Sequence, residues 1–187
     1  PPSLQGRART SDDGRVSLHP PGGSPTWFDD DVEDLDAVAT LEHVLVRLGA
    51  GRYAVAARHV VEVVPVPGLT RVPAAPSWLL GVANWRGHVL PVADLRPLLG
   101  VAPTPLASSA RVVVIRSEDV EVGFVADQVL GLLDVPDDHD PAPVTLAAEA
   151  SDLVVGLADD GSVTGPVALL DASAVLGLAR ARASRPR

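Results

Sequence analysis

The 187-residue sequence predicts an all-β fold with short helices, in which two small antiparallel barrels of about five strands each follow an N-terminal leader. Three observations lead to this prediction. Short β-branched, apolar segments alternate with turn residues from residue 43 onward. The order of these segments in the first half returns in the second half. A change in composition near residue 40 separates the leader from the rest.

The leader is predicted to be disordered and acidic. Residues 1–26 consist mainly of Pro, Gly, Ser and Arg, and their small apolar content cannot offset the entropy lost on ordering. Trp27 and Phe28 follow, and an acidic run then occupies Asp29–Asp36. We interpret the run as solvated, and the alternative is a short docking motif anchored by the two aromatic residues.

The first half contains a predicted series of strands. His43–Leu48 is apolar and β-branched, Gly49–Gly51 forms a turn, and Tyr53–Ala56 returns as the second strand. One helical turn at Ala57–His59 precedes a third strand, Val60–Val66, which ends among Pro and Gly residues.

The second half repeats the first half. A shift of sixty-nine positions needs no gap and aligns Val44–Arg47 with Val113–Arg116, Ala54–Ala56 with Gly123–Val125, and Val60–Val64 with Val129–Leu133. A second correspondence has a small length change and aligns Gly81–Ala83 with Gly156–Ala158 and Val92–Leu95 with Leu169–Ala172. Two copies of one strand series favour two small barrels.

Each copy is predicted to end in a strand, an aspartate and a short apolar helix. The helices are predicted at Leu95–Leu99 and at Ala172–Ala181. Asp94 and Asp171 precede them, where a carboxylate can cap the free N–H groups of a helix. Residues 136–151 are rich in Pro and Asp, have no counterpart in the first copy, and are predicted to form a loop.

A hairpin is the strongest local feature. The segment Gly81–Leu95 contains Arg86-Gly87 at a predicted tight turn, where Gly can adopt a positive φ. Asn84 and Arg86 are predicted to flank the tip on one face, and Trp85 is predicted to lie on the other face.

Four segments resemble the CheW-like domain of bacterial chemotaxis coupling proteins. Gly81–Leu95 is similar to the family's Gly-Val-x-Asn-x-Arg-Gly hairpin and the Pro-Val-x-Asp-Leu that follows it. Val60–Val63 and Thr70–Pro73 occur where the family has such residues, and Val122–Val129 resembles its Gly-x-x-Val-Asp-x-Val strand. The resemblance covers roughly residues 40–180, and four motifs in order are specific. Trp85 departs from the family, which usually has an aliphatic residue there.

The resemblance implies two five-stranded SH3-like β-barrels and no active site. Together with the composition, it predicts a disordered acidic leader at residues 1–40, longer than the family's usual start, a CheW-like domain at 41–182 and a tail at 183–187. It further implies a scaffold that couples chemoreceptors to the histidine kinase CheA, located in the cytoplasm at receptor arrays on the inner face of the membrane. A CheW-like domain within a larger kinase or adaptor is the alternative.

The resemblance also implies two partners and the surface that binds them. The regulatory domain of CheA is expected to associate barrel to barrel, and the cytoplasmic tip of a methyl-accepting chemoreceptor is expected to lie in the groove between the barrels. The predicted protein-binding residues are Val61, Glu62, Val63, Asn84, Arg86 and Gly87. Strand alternation predicts that Val61 and Val63 face one side, while Val60, Glu62 and Val64 face the other.

Arg86 has two interpretations. In one, its guanidinium is exposed as an interface anchor, because Arg is enriched in binding hot spots. In the other, it pairs internally with Asp94 or with a backbone carbonyl. Asp94 is itself predicted as a helix cap first and a contact residue second. Trp78 is predicted to pack in the core, and Trp85 at the junction of the barrels or on the surface.

A competing pattern would make the chain a small nucleotide-binding enzyme. Gly49–Ala54 matches G-x-G-x-x-A, which requires a helix next and an acidic residue about twenty positions later. The following segment instead contains β-forming residues, Pro65 and Pro67, and Leu69–Val72 supplies no acid. In the second copy, the positions aligned with the two glycines of the pattern are Glu118 and Val120. A hairpin turn is the better interpretation.

Composition argues against several other functions. The absence of Cys excludes disulfides and Cys-ligated zinc. A net charge of −9 without a basic stripe argues against nucleic-acid binding, and no apolar stretch is long enough for direct membrane insertion. His139 lies in a predicted solvated loop, Asp137–Asp140, that could loosely hold a cation. We expect no catalytic residue, metal or cofactor.

Overall fold

A computed structural model of the chain describes residues 40–137, 140–141, 152–159 and 165–183. Within these ranges the chain forms eleven strands, one 3₁₀ turn and one helix. The elements are β1 (Thr40–Leu48), β2 (Gly51–Ala56), the 3₁₀ turn (Ala57–His59), β3 (Val60–Pro65), β4 (Leu79–Trp85), β5 (His88–Ala93), β6 (Arg111–Ser117), β7 (Val120–Ala126), β8 (Gln128–Pro136), β9 (Asp140–Pro141), β10 (Val154–Ala158), β11 (Val167–Leu170) and α1 (Ala172–Ala183).

The strands form two sheets. One has six strands in the order β8-β1-β2-β11-β10-β9, and the other has five strands in the order β3-β6-β7-β5-β4. Most neighbours are antiparallel, as predicted, but β2 pairs with β11 and β5 pairs with β7 in parallel. The prediction of antiparallel barrels is wrong for these two pairs. No hairpin joins their strands, so their relative direction is not constrained by a short turn.

Each sheet contains strands from both copies of the repeat. In the six-stranded sheet, β1 and β2 of the first copy pair with β8 and β11 of the second; in the five-stranded sheet, β6 and β7 of the second pair with β3 and β5 of the first. The register agrees with the repeat, because Val46 lies opposite Val129 and Val60 lies opposite Ile115. Ile115 is the repeat counterpart of Val46, and Val129 is the repeat counterpart of Val60. The two copies are therefore interlocked by strand exchange.

Three apolar clusters form the core of the described residues. The largest lies between the sheets and joins Val46 and Val55 of the six-stranded sheet to Ile115 and Phe124 of the five-stranded sheet and to Val175 of α1. Full burial of one such side chain stabilises the folded state by about 1.5–3 kcal/mol. Burial of the central cluster therefore holds the two sheets together, and the hydrophobic effect that drives this burial has no preferred direction.

Each sheet also has an apolar cluster of its own. In the five-stranded sheet Trp85 packs with Leu90 and Val112, whereas in the six-stranded sheet Val135 packs with Leu169. Trp85 is 8 % exposed and belongs to the core, not to the surface. Trp78 is half-buried against the central cluster, in agreement with its prediction.

The ends of the two copies differ in structure. The predicted helix at the C-terminal end is confirmed as α1, and the Oδ1 atom of Asp171 caps it by accepting a hydrogen bond from the Ser173 N–H at 2.7 Å. The predicted helix at Leu95–Leu99 is wrong, because only one turn forms, closed by the Leu99 N–H and the Leu95 carbonyl at 3.0 Å. Gly100, with φ +69°, ends this turn.

Close backbone approach positions the predicted hairpin. Thr70 and Val82 exchange two backbone hydrogen bonds of 2.8 and 2.9 Å. A Cβ atom on the neighbouring Gly81 would lie 2.5 Å from the Thr70 carbonyl oxygen. A residue without a side chain is therefore required where the loop after β3 packs on β4.

Several predicted segments fall outside the described residues. These are the leader at 1–39, His139, most of the predicted loop at 136–151, and residues 184–187 of the tail. The described part of that loop contains β9, which pairs with β10. Among the described helices, none is long and apolar enough to cross a membrane.

Candidate functional site

The hairpin between β4 and β5 turns at Arg86 and Gly87, as predicted. Both residues have positive φ angles, +50° and +88°, the combination that a two-residue type I′ turn requires. Trp85 and His88 are the last paired residues, and the Gly87 N–H donates a hydrogen bond to the Asn84 side-chain oxygen at 3.2 Å. The turn therefore fixes the direction in which Arg86 leaves the backbone.

The two faces of the hairpin tip differ in exposure. Asn84 and Arg86 are exposed, while Trp85 between them is buried against the core of the five-stranded sheet. This confirms the predicted division of the tip into two faces. The exposed face also carries Val89, which is 72 % exposed and pairs with Asn84 across the hairpin.

Arg86 contacts strand β3, which lies at the opposite edge of the five-stranded sheet from β4. Its Nη2 atom lies 2.7 Å from the Oε2 atom of Glu62, and its guanidinium carbon lies 4.7 Å from the centroid of the Trp85 ring. The internal alternative with Asp94 is wrong, because Asp94 pairs with Arg96 instead. The Arg86 side chain is still 59 % exposed, so the ion pair orients the guanidinium without covering it.

Strand β3 does not follow the predicted alternation. Its ladder with β6 passes from Val60 directly to Glu62, so Val61 is the extra residue of a β-bulge. Val61 and Val64 pack against the core of the five-stranded sheet, whereas Val63 is 39 % exposed. The prediction that Val61 and Val63 face the same side is wrong, because the bulge reverses the alternation after Val61.

The structure brings together some of the predicted binding residues. Glu62 and Arg86 form an ion pair, and Asn84 and Gly87 share the hairpin tip. Val63 lies on the same strand as Glu62, and that strand is the edge of the five-stranded sheet. An edge strand has backbone groups that no neighbouring strand pairs, so this surface has both polar and apolar groups for a partner.

A buried ionic cluster was not predicted. Arg96 is 2 % exposed and donates from Nε to the Oδ1 atom of Asp94 at 2.9 Å and from Nη2 to its Oδ2 atom at 2.8 Å. Asp94 thus binds an arginine side chain as well as capping the turn through the Arg96 N–H at 3.0 Å. Charge-assisted, two-point pairing of this kind is strong and directional.

The electrostatics of this cluster keep Arg96 charged. Hydrogen bonding to Asp94 raises the pKa of Arg96, and attraction to Asp94 and Asp127 adds to this rise, while burial opposes it. The Nη1 atom of Arg96 also donates to the Oδ1 atom of Asp127 and to the Oγ1 atom of Thr104, both at 3.0 Å. One buried cation therefore binds two carboxylates and a hydroxyl.

The segment Gly49–Ala54 has no nucleotide-binding geometry. Gly49 and Ala50 form the turn between β1 and β2, and the residues after them enter a strand where a dinucleotide site needs a helix. The Gly49 N–H donates to the Oδ2 atom of Asp127 at 2.6 Å. The hairpin interpretation is confirmed. In the described ranges, no group of three or more His, Asp or Glu side chains could hold a metal ion.

Comparison with known proteins identifies relatives of the chain. Protein FrzA from Myxococcus xanthus is 36 % identical over 138 residues, which cover 73 % of this chain and 86 % of FrzA. Protein PilI from Pseudomonas aeruginosa is 38 % identical, and chemotaxis protein CheW from Helicobacter pylori is 35 % identical. The matches to PilI and this CheW cover 55 % and 54 % of the chain, and they span 58 % and 61 % of those relatives' own lengths.

A solved structure and a family description agree with these relatives. The crystal structure of scaffolding protein TtCheW from Thermoanaerobacter tengcongensis matches with a TM-score of 0.63 and 22 % identity, covering 71 % of this chain and 90 % of TtCheW. At that identity the match establishes the fold, and it confirms the predicted fold class. The model of the CheW-like domain matches residues 42–180. This chain belongs to the CheW-like domain family.

Proposed function

We propose that the chain is a non-catalytic adaptor of chemotaxis-type signalling, which couples the cytoplasmic tip of a chemoreceptor to the histidine kinase CheA through the regulatory domain of the kinase. Membership of the CheW-like family supports this role, and one matching structure is described as a scaffolding protein. Because proteins named PilI and FrzA are relatives as well, the proposal extends to receptor and kinase partners other than those of CheW. The adaptor would act in the cytoplasm, at receptor arrays on the inner face of the membrane.

The conformation of Arg86 is the observation that carries the proposed binding site. A left-handed conformation costs a residue other than Gly about 1–2 kcal/mol, and the turn would form more readily with Asn or Gly. Arg86 nevertheless occupies this position with φ +50° and a side chain that is 59 % exposed. Retaining a strained arginine at an exposed tip is explained if a partner binds its guanidinium.

The neighbours of Arg86 fit a receptor helix. Val63 supplies exposed apolar surface on the edge strand, and the residue before it in that strand, Glu62, forms the exposed ion pair with Arg86. A helix that crosses β3 could bury an apolar residue on Val63 and pair its polar residues with the ion pair, which is the usual division between the centre and the rim of an interface. Val61 is assigned to the support of this surface, because it packs inward.

Replacing Glu62 by Arg tests the site. We expect the affinity for a receptor cytoplasmic fragment to fall by about tenfold or more, since the variant reverses a charge inside the proposed interface. Thermal unfolding is expected to change little, because an exposed ion pair contributes only about 0.2–1 kcal/mol. Titration calorimetry with the receptor fragment measures the affinity, and thermal melting of the wild type and of the variant measures the stability.

Glu118→Arg is the matched control. Glu118 also forms an exposed ion pair, with Arg180 of α1 at 2.9 Å, but it lies in the β6–β7 turn and not on β3 or at the hairpin tip. This variant should bind the receptor fragment like the wild type. If Glu62→Arg lowers only the melting temperature and leaves binding unchanged, β3 has a purely structural role and the proposed receptor site is misplaced.

A further inference from the structure

The buried ionic cluster lies where the chain passes from one sheet to the other. Asp127 is the single residue between β7 of the five-stranded sheet and β8 of the six-stranded sheet. Arg96 lies just after β5 of the five-stranded sheet, and Gly49 lies in the β1–β2 turn of the six-stranded sheet. The cluster is therefore formed by segments that belong to both sheets.

The hydrogen bonds of the cluster form a continuous connection across this junction. One carboxylate oxygen of Asp127 accepts from the Gly49 N–H at 2.6 Å, and the other accepts from Arg96 at 3.0 Å. The Asp127 N–H donates to the Arg47 carbonyl at 3.0 Å. Because Arg96 also binds both oxygens of Asp94, the end of β5 is linked through two charged contacts to the β1–β2 turn.

Directional contacts restrict the angle between the sheets more than hydrophobic burial does. The hydrophobic effect itself has no preferred direction, whereas charge-assisted hydrogen bonds of low exposure are directional and lose energy when they are displaced. The repeat offers an internal comparison. In the second copy Ser173 takes the place of Arg96, and Asp171 caps α1 instead of binding a guanidinium. The arginine-mediated connection is thus present at the end of the first copy and absent at the equivalent position of the second copy.

We propose that Arg96 and Asp127 are positioning residues that fix the orientation of the two sheets, and that they thereby couple the binding of one partner to the binding of the other. The first part concerns the isolated chain. The second part rests on the proposed adaptor function, because coupling requires two partners. Arg96 is buried, the Asp127 side chain is 17 % exposed, and neither belongs to the proposed binding surface. They act through the placement of that surface, on the five-stranded sheet, relative to the six-stranded sheet.

The variant Asp127→Asn tests the first part, because it keeps the side-chain shape but removes the charge that Gly49 and Arg96 share. We expect amide hydrogen exchange at Gly49 to become at least about tenfold faster, while amides in the centre of β6 keep their rates. Ser109→Ala is the control, since the Ser109 hydroxyl donates to the Asp127 carbonyl at 3.3 Å but carries no link between the sheets. Unchanged exchange at Gly49 would overturn the proposal.

A binding experiment tests the second part. For the wild type, prior saturation with the kinase regulatory domain should change the affinity for the receptor fragment. In Asp127→Asn, the affinity for each partner measured alone should stay within about twofold of the wild-type value. The effect of the kinase domain on receptor affinity should disappear in this variant. Arg96→Lys, which keeps the charge but loses two-point pairing, should reduce the coupling as well. Coupling that survives in both variants contradicts the second part. If the wild type binds neither partner, the proposed function fails, while the exchange experiment still decides the first part.

Discussion

Replacing Arg96 by Met is expected to lower the free energy of unfolding by about 3–5 kcal/mol, the usual cost of removing one partner from a buried ion pair. Asp94 is 3 % exposed, and its two carboxylate oxygens accept hydrogen bonds from the Arg96 guanidinium. Without the guanidinium, this buried charge would have no cation to pair with it. The nearby carboxylate of Asp127 would then repel Asp94 instead of sharing a cation with it.

Urea denaturation at neutral pH measures this loss, and Arg116→Met is the matched control. Arg116 also pairs with a carboxylate, that of Glu121, but its side chain is 48 % exposed, so its replacement should cost less than about 1 kcal/mol. Adding Asp94→Asn to Arg96→Met should recover part of the loss, because the buried charge is then removed. A loss below about 1 kcal/mol for Arg96→Met would mean that the cluster is solvated and does not hold the junction.

Replacing Arg86 by Ala is expected to weaken partner binding by about thirtyfold or more, which corresponds to about 2 kcal/mol for the loss of an interface hot spot. Stability should fall by only about 1 kcal/mol, since the variant removes one exposed ion pair and one exposed cation–π contact. Ala has the same difficulty as Arg with a positive φ, so the strain of the turn is unchanged. Calorimetric titration measures the loss of partner affinity, and thermal melting measures the loss of stability.

A charge exchange distinguishes an interface role from a structural one. The double variant Glu62→Arg with Arg86→Glu re-forms the ion pair with its charges reversed, and it should restore stability without restoring partner binding. Arg116→Ala, on an exposed part of β6, should bind normally. If Arg86→Ala melts several degrees lower and binds like the wild type, Arg86 is an internal support and does not contact the partner.

Local sequence signals predicted the strands and the hairpin well. The β-branched segments and the repeat placed β1 to β3 and β6 to β8 close to their observed positions, because side-chain periodicity and turn residues act over a few neighbours. Arg86-Gly87 was predicted as the turn for the same reason. The bulge at Val61 was not predicted, because it depends on how β3 pairs with β6, a strand about fifty residues away in sequence.

Long-range pairing explains the other differences. A repeat gives the same sequence pattern whether each copy folds on itself or exchanges strands with the other copy. The parallel pairs β2–β11 and β5–β7 could therefore not be predicted from local sequence patterns. Arg96 was missed because an arginine after a strand usually lies on the surface. The presence of Asp94 and Asp127 in two of the motifs that resemble the family was the available signal, and both carboxylates bind Arg96.

Sedimentation of a three-component mixture tests the proposed coupling role most directly. The receptor cytoplasmic fragment and the kinase regulatory domain are mixed with and without the chain, and the size of the largest complex is measured by analytical ultracentrifugation. An adaptor should produce one complex that contains all three proteins, and Arg86→Ala should reduce its amount. The role is contradicted if the two partners associate equally well without the chain, or if they compete for it so that only two-component complexes form.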